Sequence, residues 1–181
     1  MIHSVLNNLS EECLDRKLNI ATAESCTGGL VAKLITDREG SSQWFDCGFV
    51  TYSNHAKHLM LGVDAALLEK WGAVSEQVAA AMAIGALKNS QADIACSITG
   101  VAGPQGGSLE KPVGTVCFGW ISRQSLQPET LTRQFKGDRA AVRHQAAEFA
   151  LQGLLRLVRY LVSLLQNYFI MIELDFIALI R

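Results

Sequence analysis

The sequence predicts an α/β fold: a three-layer α/β/α domain around a mixed sheet of about five strands. Three observations carry that prediction. Short apolar, β-branched runs alternate with segments of helical period. Two of the strand-like runs end in glycine-rich turns, at Gly28-Gly29 and across residues 100–107. Two late runs, residues 114–122 and 131–135, are hairpin-like, which makes the sheet mixed rather than all-parallel.

The elements follow in order. Residues 4–16 form a helical pattern, and the run from Asn19 to Glu24 reads as a buried strand. It leads through Ser25, Cys26, Thr27, Gly28 and Gly29 straight into a helix marked by Leu30, Val31, Leu34 and Ile35, which breaks at Gly40-Ser41-Ser42. Residues 47–52 are rich in aromatic and β-branched residues and form a strand. Asp64 caps a short helix that stops at Gly72. Ser75 opens an alanine-rich helix running to about Asn89, small enough in side chain to pack closely. Residues 93–99 are the next strand, and Asp138 caps a long helix with Val142, Ala146, Phe149, Leu154, Leu157 and Leu161 at helical spacing.

Composition narrows the function. A chain of 181 residues with net charge −1 carries no basic excess of the kind that announces nucleic-acid binding. Five scattered cysteines without a CxxC pair argue against a disulfide framework and a structural zinc, and fit a reducing cytoplasm. No secretory leader is expected. His55 and His58 have no third ligand nearby in sequence, so no metal is expected there. Neither glycine loop is followed by GKS or GKT, neither matches GxGxxG, and no GxSxG elbow occurs. The longest uncharged stretch near the end, residues 160–172, is too short for a membrane span, and the apolar tail, residues 168–181, is expected to pack on the domain (residues 1–167) or on a partner subunit.

The chemistry gathers at strand ends and helix starts. Ser25 sits where a strand turns into a helix, the placement a nucleophile or an anion site needs; a plain helix cap would use the same residues. Lys57 is the base candidate, because a desolvated lysine can lose its proton near neutral pH; an ordinary surface lysine is the plain alternative. Tyr52 could relay or orient the proton. Cys26 is an alternative nucleophile, as a thiol is intrinsically the better one.

Taken together, AESCTGG at residues 23–29, GSS at 40–42, GFVTYSN at 48–54 with the following Lys57, TGVAGPQGG at 99–107, KPVGTV at 111–116 and GDR at 137–139 stand in one order and spacing. The set closely resembles the CinA C-terminal domain family over about residues 5–165, in the stand-alone form that acts as a nicotinamide-nucleotide amidase; the additional N-terminal domain of two-domain members is not expected. The resemblance implies hydrolysis of the carboxamide of nicotinamide mononucleotide, without metal or cofactor, by a serine–lysine mechanism: Ser25 as nucleophile, Lys57 as base, and Tyr52 between or beside them. It also implies a cytoplasmic homodimer acting on a small-molecule nucleotide, with no nucleic-acid or membrane partner. On that reading, N–H groups around Thr27, Gly28 and Gly29, or the Ser42 hydroxyl, hold the oxyanion. Arg139, with the Gly100 and Gly103 loop, takes the 5′-phosphate, Thr99 contacts substrate, and Lys111 is a weaker phosphate candidate. A nucleotide-binding module without catalysis, an interaction protein working through the apolar tail, and an amidase for another carboxamide nucleotide remain as alternatives.

Overall fold

The computed structural model describes residues 2–125 and 127–180, and only the backbone of 162–180. In chain order the elements are α1 (Ile2–Arg16), β1 (Ile20–Glu24), α2 (Leu30–Thr36), a 3-10 turn (Ser41–Gln43), β2 (Phe45–Val50), α3 (Asn54–Leu61), α4 (Ala65–Trp71), α5 (Glu76–Lys88), β3 (Ile94–Gly100), β4 (Thr115–Ser122), β5 (Glu129–Gln134) and α6 (Arg139–Ile180). The sheet order is β2-β1-β3-β4-β5. β1 pairs parallel with both β2 and β3, while β4 and β5 are antiparallel additions. The three-layer α/β fold with a mixed five-stranded sheet is the one the sequence predicts.

Strand alternation divides the core in two. Ile20, Ile94, Cys96, Ile98, Phe118 and Trp120 face α1, α2 and α6, where Leu6, Leu9, Ile35, Leu151 and Leu154 meet them. Ala21, Ala23 and Ala95 face the other way, onto Val78, Met82 and Ala83 of α5 and Leu61 of α3. Burying each large aliphatic side chain contributes about 1.5–3 kcal/mol. The small residues of the second face let α5 approach the sheet closely, and α3 approaches α5 more closely still. A Cβ on Gly85 would lie 2.1 Å from the Leu61 carbonyl oxygen, so only glycine permits that contact. On the first face, α6 is tied to the sheet by the Trp120 indole N–H, which donates to the Ala150 carbonyl at 3.0 Å. Phe149 of α6 stacks edge-on against Phe118 with ring centroids 4.9 Å apart.

Helix α3, strands β2 and β5 and the far end of α6 differ from the sequence reading. Helix α3 is absent from it, because eight residues are too few to establish a helical period, although Ala56, Lys57, Leu59, Met60 and Leu61 are good helix formers. Its start signal is present all the same: the Ser53 hydroxyl accepts the Ala56 N–H at 3.0 Å. Strands β2 and β5 each begin two residues earlier than expected. α6 runs through the expected boundary at residue 167; how the apolar tail packs lies outside the described side chains. Among the described residues no helix is long and apolar enough to cross a membrane.

Candidate active site

The carboxyl ends of the three parallel strands meet at one edge of the sheet. β2 and β3 flank β1 on opposite sides, and an open sheet builds its crevice at such a reversal. Ser25 follows β1 directly, and its N–H donates to the Ile98 carbonyl of β3 at 2.9 Å. The chain then closes a tight turn in which the Gly28 N–H returns to the Ser25 carbonyl at 3.0 Å. Gly28 and Gly29 both lie in the left-handed region, at φ +59° and +90°, where a side chain would strain the backbone. Glu24 holds the turn from within. It is buried, and its carboxylate accepts the N–H groups of Gly29, Val31 and Ala32 at 3.0, 3.1 and 2.8 Å. It therefore caps α2 in place of an adjacent side chain.

Lys57 enters from α3, on the far side of β2. Its side chain is only 1 % exposed, and its Nζ lies 2.9 Å from Ser25 Oγ and 3.0 Å from the Thr51 carbonyl oxygen. It forms no ion pair among the described residues. Burial lowers its pKa below the ordinary lysine value, against a smaller opposing effect of Cys26. A neutral amine at this place can accept the Ser25 hydroxyl proton while it donates to the Thr51 carbonyl. Cys26 is buried beside it, but burial pushes that thiol up to about 12, so it stays protonated and a poor nucleophile.

The remaining residues sort by position. Thr99, at the end of β3, is buried and donates its hydroxyl to the Ala73 carbonyl at 2.8 Å. Gly100 ends β3, and the Gly103 carbonyl accepts from Arg139 at 2.8 Å. Arg139 also donates to the Tyr52 hydroxyl at 2.9 Å, so it ties the loop after β3 to the loop after β2. Tyr52 itself is 61 % exposed and bound to Arg139; it does not stand between Ser25 and Lys57. The alternation that turns Thr51 inward turns Tyr52 out. Ser42 is a second correction. It lies in the 3-10 turn before β2, and Ile20 pairs with Phe45, so Ser42 is at the opposite edge of the sheet. Five residues of strand place it roughly 17 Å from the Ser25 end, out of reach of the Ser25 oxygen within one chain. Lys111 donates to the Trp71 carbonyl at 2.8 Å, against the end of α4. Nor is Gly29 a free donor, since Glu24 takes its N–H. That leaves Cys26 and Thr27, whose N–H groups meet no acceptor from another residue among those described. Glu24, Thr51 and Arg143 escape the sequence reading. Glu24 stands inside the AESCTGG motif, but neither its chemistry nor its spacing tells a cap from a catalytic carboxylate. Arg143 donates to the Thr27 carbonyl at 2.6 Å from α6, more than a hundred residues away. Among the described residues no three His, Cys, Asp or Glu side chains cluster as a metal site, and His58 Nδ1 lies 2.9 Å from the Val63 carbonyl oxygen.

The sequence and the fold have known counterparts. The model of the CinA C-terminal domain matches residues 2–158. The nicotinamide-nucleotide amidohydrolase PncC of Enterobacter agglomerans is 60 % identical over 76 % of this chain and 83 % of its own length. The protein of the same name from Escherichia coli K12 is 55 % identical over 85 % of this chain and 95 % of its own. Among solved structures, the competence/damage inducible protein CihA of Agrobacterium tumefaciens superposes with a TM-score of 0.83 at 42 % identity, over 86 % of this chain and 94 % of that one.

Proposed function

The chain belongs to the CinA C-terminal domain family, and on that premise we propose that it hydrolyses nicotinamide mononucleotide to nicotinic acid mononucleotide and ammonia. Two relatives that it matches over most of their length carry the name of that activity. The observation that carries the mechanism is the buried Lys57 amine, 2.9 Å from Ser25 Oγ and without an acidic partner among the described residues. A lysine placed this way is a base rather than a counter-ion.

Ser25 Oγ attacks the carboxamide carbon as its proton passes to Lys57. The carbonyl oxygen becomes an anion and is received by the N–H group of Cys26, the residue after the nucleophile. The tetrahedral adduct collapses as the C–N bond breaks, and Lys57 returns the proton to the leaving nitrogen, which departs as ammonia. Water then attacks the ester, gives its proton to Lys57, and the acid is released as Ser25 recovers its hydroxyl proton. Lys57 moves every proton and the turn supplies the electrostatics, so the scheme needs no metal or cofactor. Arg139, pinned across the mouth by Gly103 and Tyr52, has further N–H donors for the 5′-phosphate, with the loop of Gly100 and Gly103 beside it and Thr99 at its base. The reading carries with it a cytoplasmic homodimer.

The test is ammonia release from nicotinamide mononucleotide in the presence of EDTA by wild type, Ser25→Ala and Lys57→Ala. The expected result is metal-independent turnover that falls by about 10³-fold or more in both variants. A wild type that binds the nucleotide but releases no ammonia would leave a binding module as the better account.

A further inference from the structure

We infer that Arg143 is a positioning residue for this reaction: its guanidinium holds the Thr27 carbonyl and thereby orients the turn whose Cys26 N–H receives the oxyanion. The inference rests on the amidase reading and adds to it a second arginine, one turn beyond Arg139 on α6.

Arg143 Nη2 donates to the Thr27 carbonyl at 2.6 Å, and Thr27 is fully buried. That carbonyl shares a peptide plane with the Gly28 N–H, which closes the turn by donating to the Ser25 carbonyl at 3.0 Å. Fixing the plane from outside thus fixes a four-residue turn whose two central residues are Cys26 and Thr27. Among the described residues, neither of their N–H groups meets an acceptor from another residue. The guanidinium lies against the elbow itself, since a Cβ on Gly28 would be 3.6 Å from Nη2.

The setting is unusual for a purely structural arginine. Its Nε is buried with no acceptor, and it forms no ion pair, both among the described residues. Withdrawing part of an unpaired guanidinium from water is unfavourable. A positive charge held behind a developing anion stabilises it. The guanidinium charge reaches Cys26 only weakly: burial pushes that thiol up to about 12, and Arg143 acts to lower it less than Lys57 does. α6 is held to the sheet through Trp120 and Phe118, so its two arginines reach the site from a rigid support.

The experiment compares wild type, Arg143→Gln and Arg143→Lys in ammonia release from nicotinamide mononucleotide and in affinity for pyridine-3-boronic acid. The boron of that probe takes up a serine oxygen and becomes a tetrahedral anion where the oxyanion would sit. Arg143→Gln is expected to lower kcat about 10- to 100-fold with KM changed less than about threefold, and to weaken the boronate by a similar factor. Arg143→Lys, which keeps the charge and one donor, should retain more activity than Arg143→Gln at equal thermal midpoint. The inference is overturned if kcat holds in Arg143→Gln, if the loss falls on KM alone, or if both variants lose activity only in proportion to lost stability. A wild type that releases no ammonia sinks the amidase reading instead, and the boronate affinities of the three proteins then decide the role of Arg143.

Discussion

Replacing Glu24 by glutamine tests whether the carboxylate at the end of β1 builds the turn that presents Ser25. One of its oxygens accepts Gly29 and Val31 N–H at 3.0 and 3.1 Å, and the other accepts Ala32 N–H at 2.8 Å. Glutamine has a single acceptor oxygen. In its better orientation it keeps the Gly29 and Val31 bonds, now uncharged, and turns an NH2 group toward the Ala32 N–H. Leaving that donor unsatisfied costs about 1–3 kcal/mol, and loss of the negative charge at the start of α2 adds about 0.5–2 kcal/mol. The sum, about 3 kcal/mol, is expected as a fall in unfolding free energy in urea at unchanged m, followed through the fluorescence of buried Trp44 and Trp120. Turnover should fall as well, because the same bonds set the path of the chain from Ser25 to α2. A loss below about 1 kcal/mol would refute the reasoning, since it would mean that water or a shifted backbone satisfies these donors as well as the carboxylate does.

Two other perturbations reach Lys57. Because burial lowers its pKa, the unfolded chain binds a proton that the folded chain lacks between that lowered value and 10.5; stability therefore rises with pH across this window, and below it the full penalty of burying the charge remains. Lys57→Met is accordingly expected to raise the urea midpoint at neutral pH while abolishing ammonia release, and in the wild type kcat/KM should be lost as pH falls through a limb lying below 10.5; a midpoint that drops in Lys57→Met counts against the burial argument. Gly85→Ala would place its Cβ 2.1 Å from the Leu61 carbonyl oxygen, so α3 must recede by about 1 Å and carry Lys57 with it. The expected result is a fall in kcat of up to about 100-fold with a stability loss of about 1–3 kcal/mol, and an unchanged kcat would show that the α3–α5 contact does not set the Ser25–Lys57 distance.

How much of this was readable in the chain depends on where each residue finds its partner. Ser25, Gly28 and Gly29 were legible because the strand, the turn and the helix that use them are contiguous. Lys57 was legible as a candidate, and its burial was not: the helix that carries it is short and held by a contact to Gly85, 24 positions after Leu61. Tyr52 and Ser42 show the opposite error, in which nearness in sequence stands in for nearness in space. Strand alternation sends Tyr52 outward one residue after the inward Thr51. Ser42 belongs to the return path after α2, and a β-α-β unit brings that path back to the edge of the sheet opposite the one where the helix began. Glu24 and Arg143 share a different property. Each acts on backbone atoms of the turn after Ser25 rather than on another side chain, and backbone groups leave no trace in residue identity. The polar atoms that shape this site are therefore largely those of the turn itself, and the side chains around it act by fixing where its N–H groups point.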